Sequence, residues 1–292
     1  MPEGDTVWRT ASRLDEAMRG AQLIRAELRW GELIDAQLRG AITVEVRSRG
    51  KHILHRLSTG LTIHSHLRME GQWRVEQSAT LTSAATANHQ LRALLVTQQW
   101  AALGLRLGML DLIPTDREGD LVGHLGPDVL GADWDGAEAA ARIRASDASI
   151  GQALLDQRNL AGVGTMYAAE ALFVQRLHPW SPVAALSDAE VSAIVGRVHR
   201  MLHRGRSTAI QSTTGDSRPG ERTFVHARSG RPCRRCGGDV RVAMIGNPPQ
   251  DRTMFYCPAC QGGLGPTDDG RPQRPLGSGA PRRAGYRRAS GR

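Results

Sequence analysis

Four cysteines restrict the fold of this chain more than any other feature. They occur only as Cys233-Arg-Arg-Cys236 and Cys257-Pro-Ala-Cys260, with twenty residues between the pairs. A C-x2-C-x20-C-x2-C pattern has the spacing of a four-thiolate zinc site, in which each knuckle presents two sulfurs to one tetrahedral ion. The stretch between the knuckles then folds as a hairpin that brings them together. Such a site is closed and leaves no coordination position for a substrate, so one structural Zn2+ and no organic cofactor are expected. A redox disulfide framework is the alternative reading, and a cytoplasmic setting opposes it. Arg231, Arg234, Arg235, Arg241 and Arg252 crowd this element, which suits a rigid finger that grips phosphate.

The formal charge of +9 and a pI near 10.5 point to a polyanionic partner. Residues 265–292 alone contribute seven Arg against two Asp, so a basic tail accounts for much of that charge, and a tail can be a non-specific phosphate tether. No run of apolar residues is long enough to span a bilayer, and the N-terminus lacks a secretory pattern. A soluble, cytoplasmic, nucleoid-associated monomer with no membrane partner is expected. Of the 38 basic side chains only Lys51 is a lysine. Guanidinium cannot exchange protons near neutral pH, whereas a lysine amine in a desolvated site can. Chance survival under biased codon usage is the other reading of Lys51.

Periodicity divides the chain. Val7, Ala11, Leu14, Met18 and Ala21 follow one apolar helical face, with Asp5 placed to cap its start and Gly20 to end it. Alternating β-branched and polar residues from Gln22 to about Ile113 predict a β-sandwich or barrel, interrupted by a loop over Glu76–Asn88. Apolar-faced helices are predicted at Ile150–Arg158 and Met166–Gln175, joined by Asn159-Leu160-Ala161-Gly162-Val163-Gly164, whose glycines would let helix N–H groups approach a phosphate. Ser187-Asp188-Ala189-Glu190 is a capping box for a further helix. The expected units are 1–121, a catalytic β-sandwich; 122–135, a hinge; 136–216, helical and DNA-binding; 217–264, the zinc finger; and 265–292, a disordered basic tail.

Five strings, in order, carry a resemblance: Pro2-Glu3-Gly4, Ser48-Arg49-Gly50-Lys51-His52, His66-Leu67-Arg68-Met69-Glu70-Gly71, Leu154-Leu155-Asp156-Gln157 leading into Ala161-Gly162-Val163-Gly164, and the cysteine finger. Together they resemble the formamidopyrimidine-DNA glycosylase and endonuclease VIII family from residue 2 to about residue 264. The resemblance implies an α+β protein: an N-terminal β-sandwich with flanking helices, then a helix-two-turns-helix domain with a β-hairpin zinc finger, and damaged DNA in the cleft between. It also implies a glycosylase with lyase activity. Once Met1 is removed, the secondary amine of Pro2 would attack C1′ and form an iminium that serves as an electron sink for strand cleavage. The positive end of the following helix would keep that amine unprotonated, although Pro after Met also has a plain processing explanation.

By family position Glu3 is the neighbouring proton donor and Lys51 the donor associated with β-elimination. Arg252 is the finger arginine associated with δ-elimination and phosphate grip. Met69 matches the apolar wedge that fills the vacated stack, with Arg68 beside it, and Arg106 matches the arginine that engages the opposite strand. Thr165 stands where the family usually has an Asn that contacts phosphate, and Leu107 where it usually has Phe. These departures open single-stranded or bubble DNA as substrates besides duplex. The Pro2-Glu3-Gly4 start, and a segment Ser207–Cys233 without the purine branch's Thr-Leu-Arg-Asp-Phe string, favour oxidised pyrimidines. Oxidised purines are the alternative, and a catalytically inert zinc-finger DNA-binding protein is an alternative of another class.

Overall fold

The apolar stripe of the first seventeen or so residues does form a helix, with different ends from those the spacing predicts. In the computed structural model, which describes residues 2–275, α1 spans Gly4–Met18 and buries Val7, Ala11, Leu14 and Met18. Ala21 lies beyond it. The N-cap is Glu3, and Asp5 lies inside the first turn with its side chain fully buried rather than capping the end.

The alternating segment builds two four-stranded antiparallel sheets. One has the order β1 (Arg25–Leu28), β6 (Leu91–Val96), β7 (Trp100–Leu105), β5 (Gln72–Gln77), and the other β2 (Thr43–Arg49), β3 (His52–Leu57), β4 (Leu61–His66), β8 (Met109–Pro114). Residues of one parity from each sheet, among them Val46, Ile53, Ile63, Ala93, Leu95, Ala102 and Leu110, meet the α1 stripe in one core, as the period of two requires of a sandwich. The stretch expected as a loop over Glu76–Asn88 carries two short elements, a 3-10 turn at Ser78–Thr80 and α2 (Ser83–Thr86). Leu81 and Ala85 there pack on a small satellite core.

After α3 (Glu118–Val122), the segment read as a hinge is tied on both sides. Gly126 N donates to Gln157 O, Val129 N to Ala161 O, and Gly50 N to the Asp128 carboxylate at 2.7 Å. The helical region holds α4 (Gly136–Arg144), α5 (Ile150–Leu155), α6 (Thr165–Gln175) and α7 (Asp188–Arg206), and α7 opens with the expected capping box. Helix α6 is buried on every face through Phe173, as a helix apolar all round must be. Its one internal carboxylate, Glu170, accepts hydrogen bonds from the backbone of Phe224, Val225 and His226 and from the Thr213 hydroxyl. That carboxylate therefore pins the loop leading to the finger.

The finger is a hairpin, β9 (Arg241–Ile245) against β10 (Arg252–Tyr256), followed by α8 (Pro258–Gln261). Ile245, Met254, Phe255, Cys233 and Cys257 share one core with α6 and α7, so the finger is packed on the helical region and does not hang from it. Residues 265–275 were expected in the disordered tail. Instead, Asp268 accepts from Arg241 and from the Tyr256 hydroxyl, and the Gln273 amide pairs with both backbone groups of Val242. The rest of the expected tail lies outside the described residues.

Candidate active site

Glu3 sets the geometry of the site. Its side chain is buried, and its carboxylate accepts from Gly164 N at 2.8 Å, Met166 N at 2.7 Å and Tyr167 N at 3.3 Å. These are the orphan donors at the start of α6, where the helix end favours an anion. The glycine turn predicted to receive a phosphate thus receives, at these amides, the chain's own carboxylate. Gly164 is required by contact: a Cβ there would stand 2.5 Å from Glu3 Cδ. Burial drives the Glu3 pKa above the ordinary carboxylate range, while Lys51 and the amides pull it the other way.

Lys51 reaches the same turn from the opposite domain. Its Nζ donates to Val163 O at 2.5 Å, and that oxygen also accepts from Gln157 Nε2 at 2.9 Å. The tight turn between β2 and β3 presents it, with Gly50 at φ +58° and its N–H held by Asp128. Burial lowers the Lys51 pKa; Glu3 opposes that, and Arg252 adds to it. Pro2 is partly exposed next to Glu3. Pro2, Glu3 and Lys51 therefore converge on the turn before α6: an amine, a carboxyl whose pKa burial raises and an amine whose pKa burial lowers, with the charge of Arg252 felt at Lys51.

Several supports were not read from sequence. Asp5 accepts from Tyr167 Oη at 2.9 Å and Gln211 Nε2 at 2.8 Å, and it pairs with Arg9, tying α1 to α6 and to the segment after α7. Asp111, His64 and His52 form a hydrogen-bonded row with 2.8 Å at each link. Burial holds His52 near pKa 3, and burial together with Arg68 and Lys51 holds His66 near 4. The strand alternation carried the signal for this row, since His52 pairs with His66 and His64 with Asp111 across neighbouring strands.

Most candidates for DNA contact are exposed, unlike the buried group, and Thr165 is the exception. Met69 is 66% exposed, at the tip of the turn closed by Gly71 N donating to Leu67 O at 2.8 Å. Arg68 and Arg106 both have positive φ, +52° and +49°, a left-handed conformation that costs a non-glycine residue about 1–2 kcal/mol. Arg106 pairs with Glu70 at 3.4 Å. Arg252 is exposed on β10, its guanidinium bonded only to the carbonyls of Gln250 and Asp251 among the described residues. Thr165 is 6% exposed and offers the least surface of the set.

The four cysteine sulfurs lie within 4.8 Å of one another, with Cys233 to Cys260 at 3.9 Å and Cys236 to Cys257 at 3.5 Å. Four thiolates about 2.3 Å from a tetrahedral zinc would be about 3.8 Å apart, so the sulfurs are placed to hold a metal ion.

Residues 1–107 match the formamidopyrimidine-DNA glycosylase N-terminal domain and residues 125–216 the formamidopyrimidine-DNA glycosylase H2TH domain. The chain is 43% identical over 272 residues to the probable endonuclease 8 2 of Streptomyces coelicolor, spanning 93% of this chain and 98% of that protein. It is 41% identical to the DNA-(apurinic or apyrimidinic site) lyase Nei2 of Mycolicibacterium smegmatis, spanning 89% and 99%. Its fold is like that of the Lactococcus lactis formamidopyrimidine DNA glycosylase crystallised with DNA containing an AP site, with a TM-score of 0.74 over 89% of this chain and 99% of that one, at 21% identity.

Proposed function

The chain belongs to the formamidopyrimidine-DNA glycosylase and endonuclease VIII family, and on that premise we propose that it removes oxidised pyrimidines with the amine of Pro2 and cleaves the strand by β,δ-elimination. Its class is DNA glycosylase and AP lyase of base-excision repair. One observation carries the assignment of roles: the buried Glu3, next to the residue that becomes the N-terminus when Met1 is removed, and Lys51 meet at the turn before α6, with pKa values shifted toward each other.

The Pro2 nitrogen donates its lone pair to C1′ while the bond from C1′ to the base breaks and the base leaves with a proton. Glu3, whose pKa burial raises, supplies a proton to the ring oxygen, so the sugar opens to an iminium. Loss of a C2′ proton to water then expels the 3′ phosphate, and the Lys51 ammonium gives a proton to the departing phosphate oxygen. Arg252, whose charge reaches Lys51, holds phosphate through the second elimination at C5′.

Cys233, Cys236, Cys257 and Cys260 would hold one zinc ion. That ion supplies folding energy to the finger and leaves no open position for chemistry. The terminal Pro2-Glu3-Gly4 and the endonuclease 8 names of the relatives support pyrimidine lesions. Thr165 and the buried Leu107, in place of an amide and an aromatic ring, support activity on single strands and bubbles.

Borohydride added during turnover tests this reading. It should reduce the iminium and leave a covalent protein–DNA adduct that maps to Pro2. Retaining Met1 turns the nitrogen into an amide and should abolish trapping. An adduct at Lys51, or efficient trapping with Met1 in place, would assign the chemistry to a lysine-based lyase instead.

A further inference from the structure

A cavity of about 600 Å³ opens one turn along α1 from Pro2, within the size range of small-molecule pockets. Thr6, Arg9, Met166, Gln211 and His226 are among its walls. One wall residue places it beside the reacting centre: Met166 donates its N–H to the Glu3 carboxylate. A base detached from C1′ by Pro2 must occupy space close to Glu3, and this cavity is close to it.

The polar atoms in the wall have fixed roles. Asp5 is fully buried and accepts from Tyr167 Oη, Arg9 and Gln211 Nε2. A carboxylate surrounded by donors accepts only, so the Gln211 amide must turn its NH2 toward Asp5. Its Oε1 then points away from Asp5, and among the described residues no group bonds it. His226 Nδ1 is also buried without a partner among the described residues, so the wall carries a second polar atom that awaits a ligand.

We propose that this cavity receives the extruded base and that Gln211 Oε1, fixed by Asp5, accepts a hydrogen bond from a ring imide N–H. Gln211 is thus a specificity-determining residue that selects uracil- and thymine-derived lesions over cytosine-derived ones. Oxidised uracil and thymine carry a hydrogen on N3. The matching nitrogen of an oxidised cytosine is a bare acceptor, which sets lone pair against lone pair and leaves both unsatisfied. An unmatched buried pair of this kind costs about ten- to a hundredfold in rate. The inference rests on the glycosylase reading above and adds which pyrimidines it takes.

The test measures single-turnover excision of 5-hydroxyuracil and of 5-hydroxycytosine in otherwise identical oligonucleotides. Each rate is divided by the same protein's rate of cleaving an AP site, so general damage to a variant cancels. The wild-type protein should favour 5-hydroxyuracil by about tenfold or more. Gln211→Leu should bring the ratio close to one, chiefly by slowing 5-hydroxyuracil. Asp5→Asn, which no longer demands a donor and frees the amide to turn, should lower the ratio as well. Equal wild-type rates, a ratio still near tenfold in Gln211→Leu, or excision of neither base by a protein that cleaves AP sites would overturn the proposal. Failure of the wild-type protein to cleave an AP site at all would instead count against the parent reading.

Discussion

Glu3 and Met69 are both expected to act on the same nucleotide, and they are built on opposite principles. Glu3 is 1% exposed with both carboxylate oxygens bonded, and Met69 is 66% exposed at the tip of a turn. Around Glu3 the cost of burying charge is met inside the protein, by the α6 amides and by Lys51. Around Met69 the cost is left standing: an exposed side chain, with Arg68 at positive φ before it and Arg106, also at positive φ, paired with the following Glu70. Residues that do chemistry are held ready before substrate arrives, as preorganisation requires. Residues that invade the duplex carry strain and exposed apolar surface that DNA itself must offset.

The largest break in this comparison should come from the buried side. Glu3→Gln keeps the shape and most of the hydrogen bonds but cannot give up a proton, so base excision should fall about 10²- to 10⁴-fold. The pH dependence follows from the direction of the shift. Burial raises the Glu3 pKa, an acid works while protonated, and excision by the wild-type protein should therefore fall as pH rises through that raised value. The glutamine variant should lose this alkaline limb. A full-sized limb in Glu3→Gln, measured under single turnover, would place the acid elsewhere.

Next in size is the metal. Cys257 is fully buried in the core shared with α6, so Cys257→Ser should do more than loosen the knuckle. Bound zinc should drop below one ion per chain, and the melting temperature should fall by several degrees, because the hairpin residues Met254 and Phe255 lose their support. DNA affinity should fall with it, as Arg252 loses its place. Wild-type protein that contains no zinc yet melts and binds as expected would rule this account out.

Gly205 offers a smaller and more local break. A Cβ there would stand 2.2 Å from Tyr167 Oη and 2.9 Å from Asp5 Oδ2, so Gly205→Ala should push the buried network apart and cost about 1–3 kcal/mol. Thermal melts should register the loss, and trapping at Pro2 should survive it at temperatures where the variant stays folded. An unchanged melting temperature would mean that this network is not packed as tightly as the one around Glu3.

The sequence disclosed the exposed and the metal-binding parts more readily than the buried polar ones, for physical reasons. Cysteine spacing maps directly onto a tetrahedral site, and period-two alternation onto a sandwich, because both are local. Glu3 was named only by resemblance, and Lys51 and Arg252, noted first as the one lysine and as a finger arginine, took their roles from it, since a group assembled from residues 3, 51 and 252 has no local signature. Asp5 was read as a cap from its place before an apolar stripe. Its true partners, Tyr167 and Gln211, lie more than 160 residues away, beyond any helical rule. The start of the tail was misjudged for the same reason: Asp268 looks like a solvated charge until Arg241 folds against it.

The smallest effect on stability, and the sharpest test of the comparison, belongs to Met69. Its side chain touches solvent rather than core, so Met69→Ala should leave the unfolding free energy within about 0.5 kcal/mol of wild type. If it acts as a wedge, its loss should appear only where there is a stack to hold open. Extruding a base from a duplex costs a few kcal/mol of unstacking and unpairing, and far less from a single strand. Excision from duplex DNA should therefore slow about tenfold, while the same lesion in a single strand should be removed at nearly the wild-type rate. Glu3→Gln should slow both substrates alike, because proton donation to the sugar does not depend on the opposite strand. If Met69→Ala slows single-strand excision as much as duplex excision, then Met69 belongs with the buried group in function despite its exposure, and the division between the two regions fails at that residue.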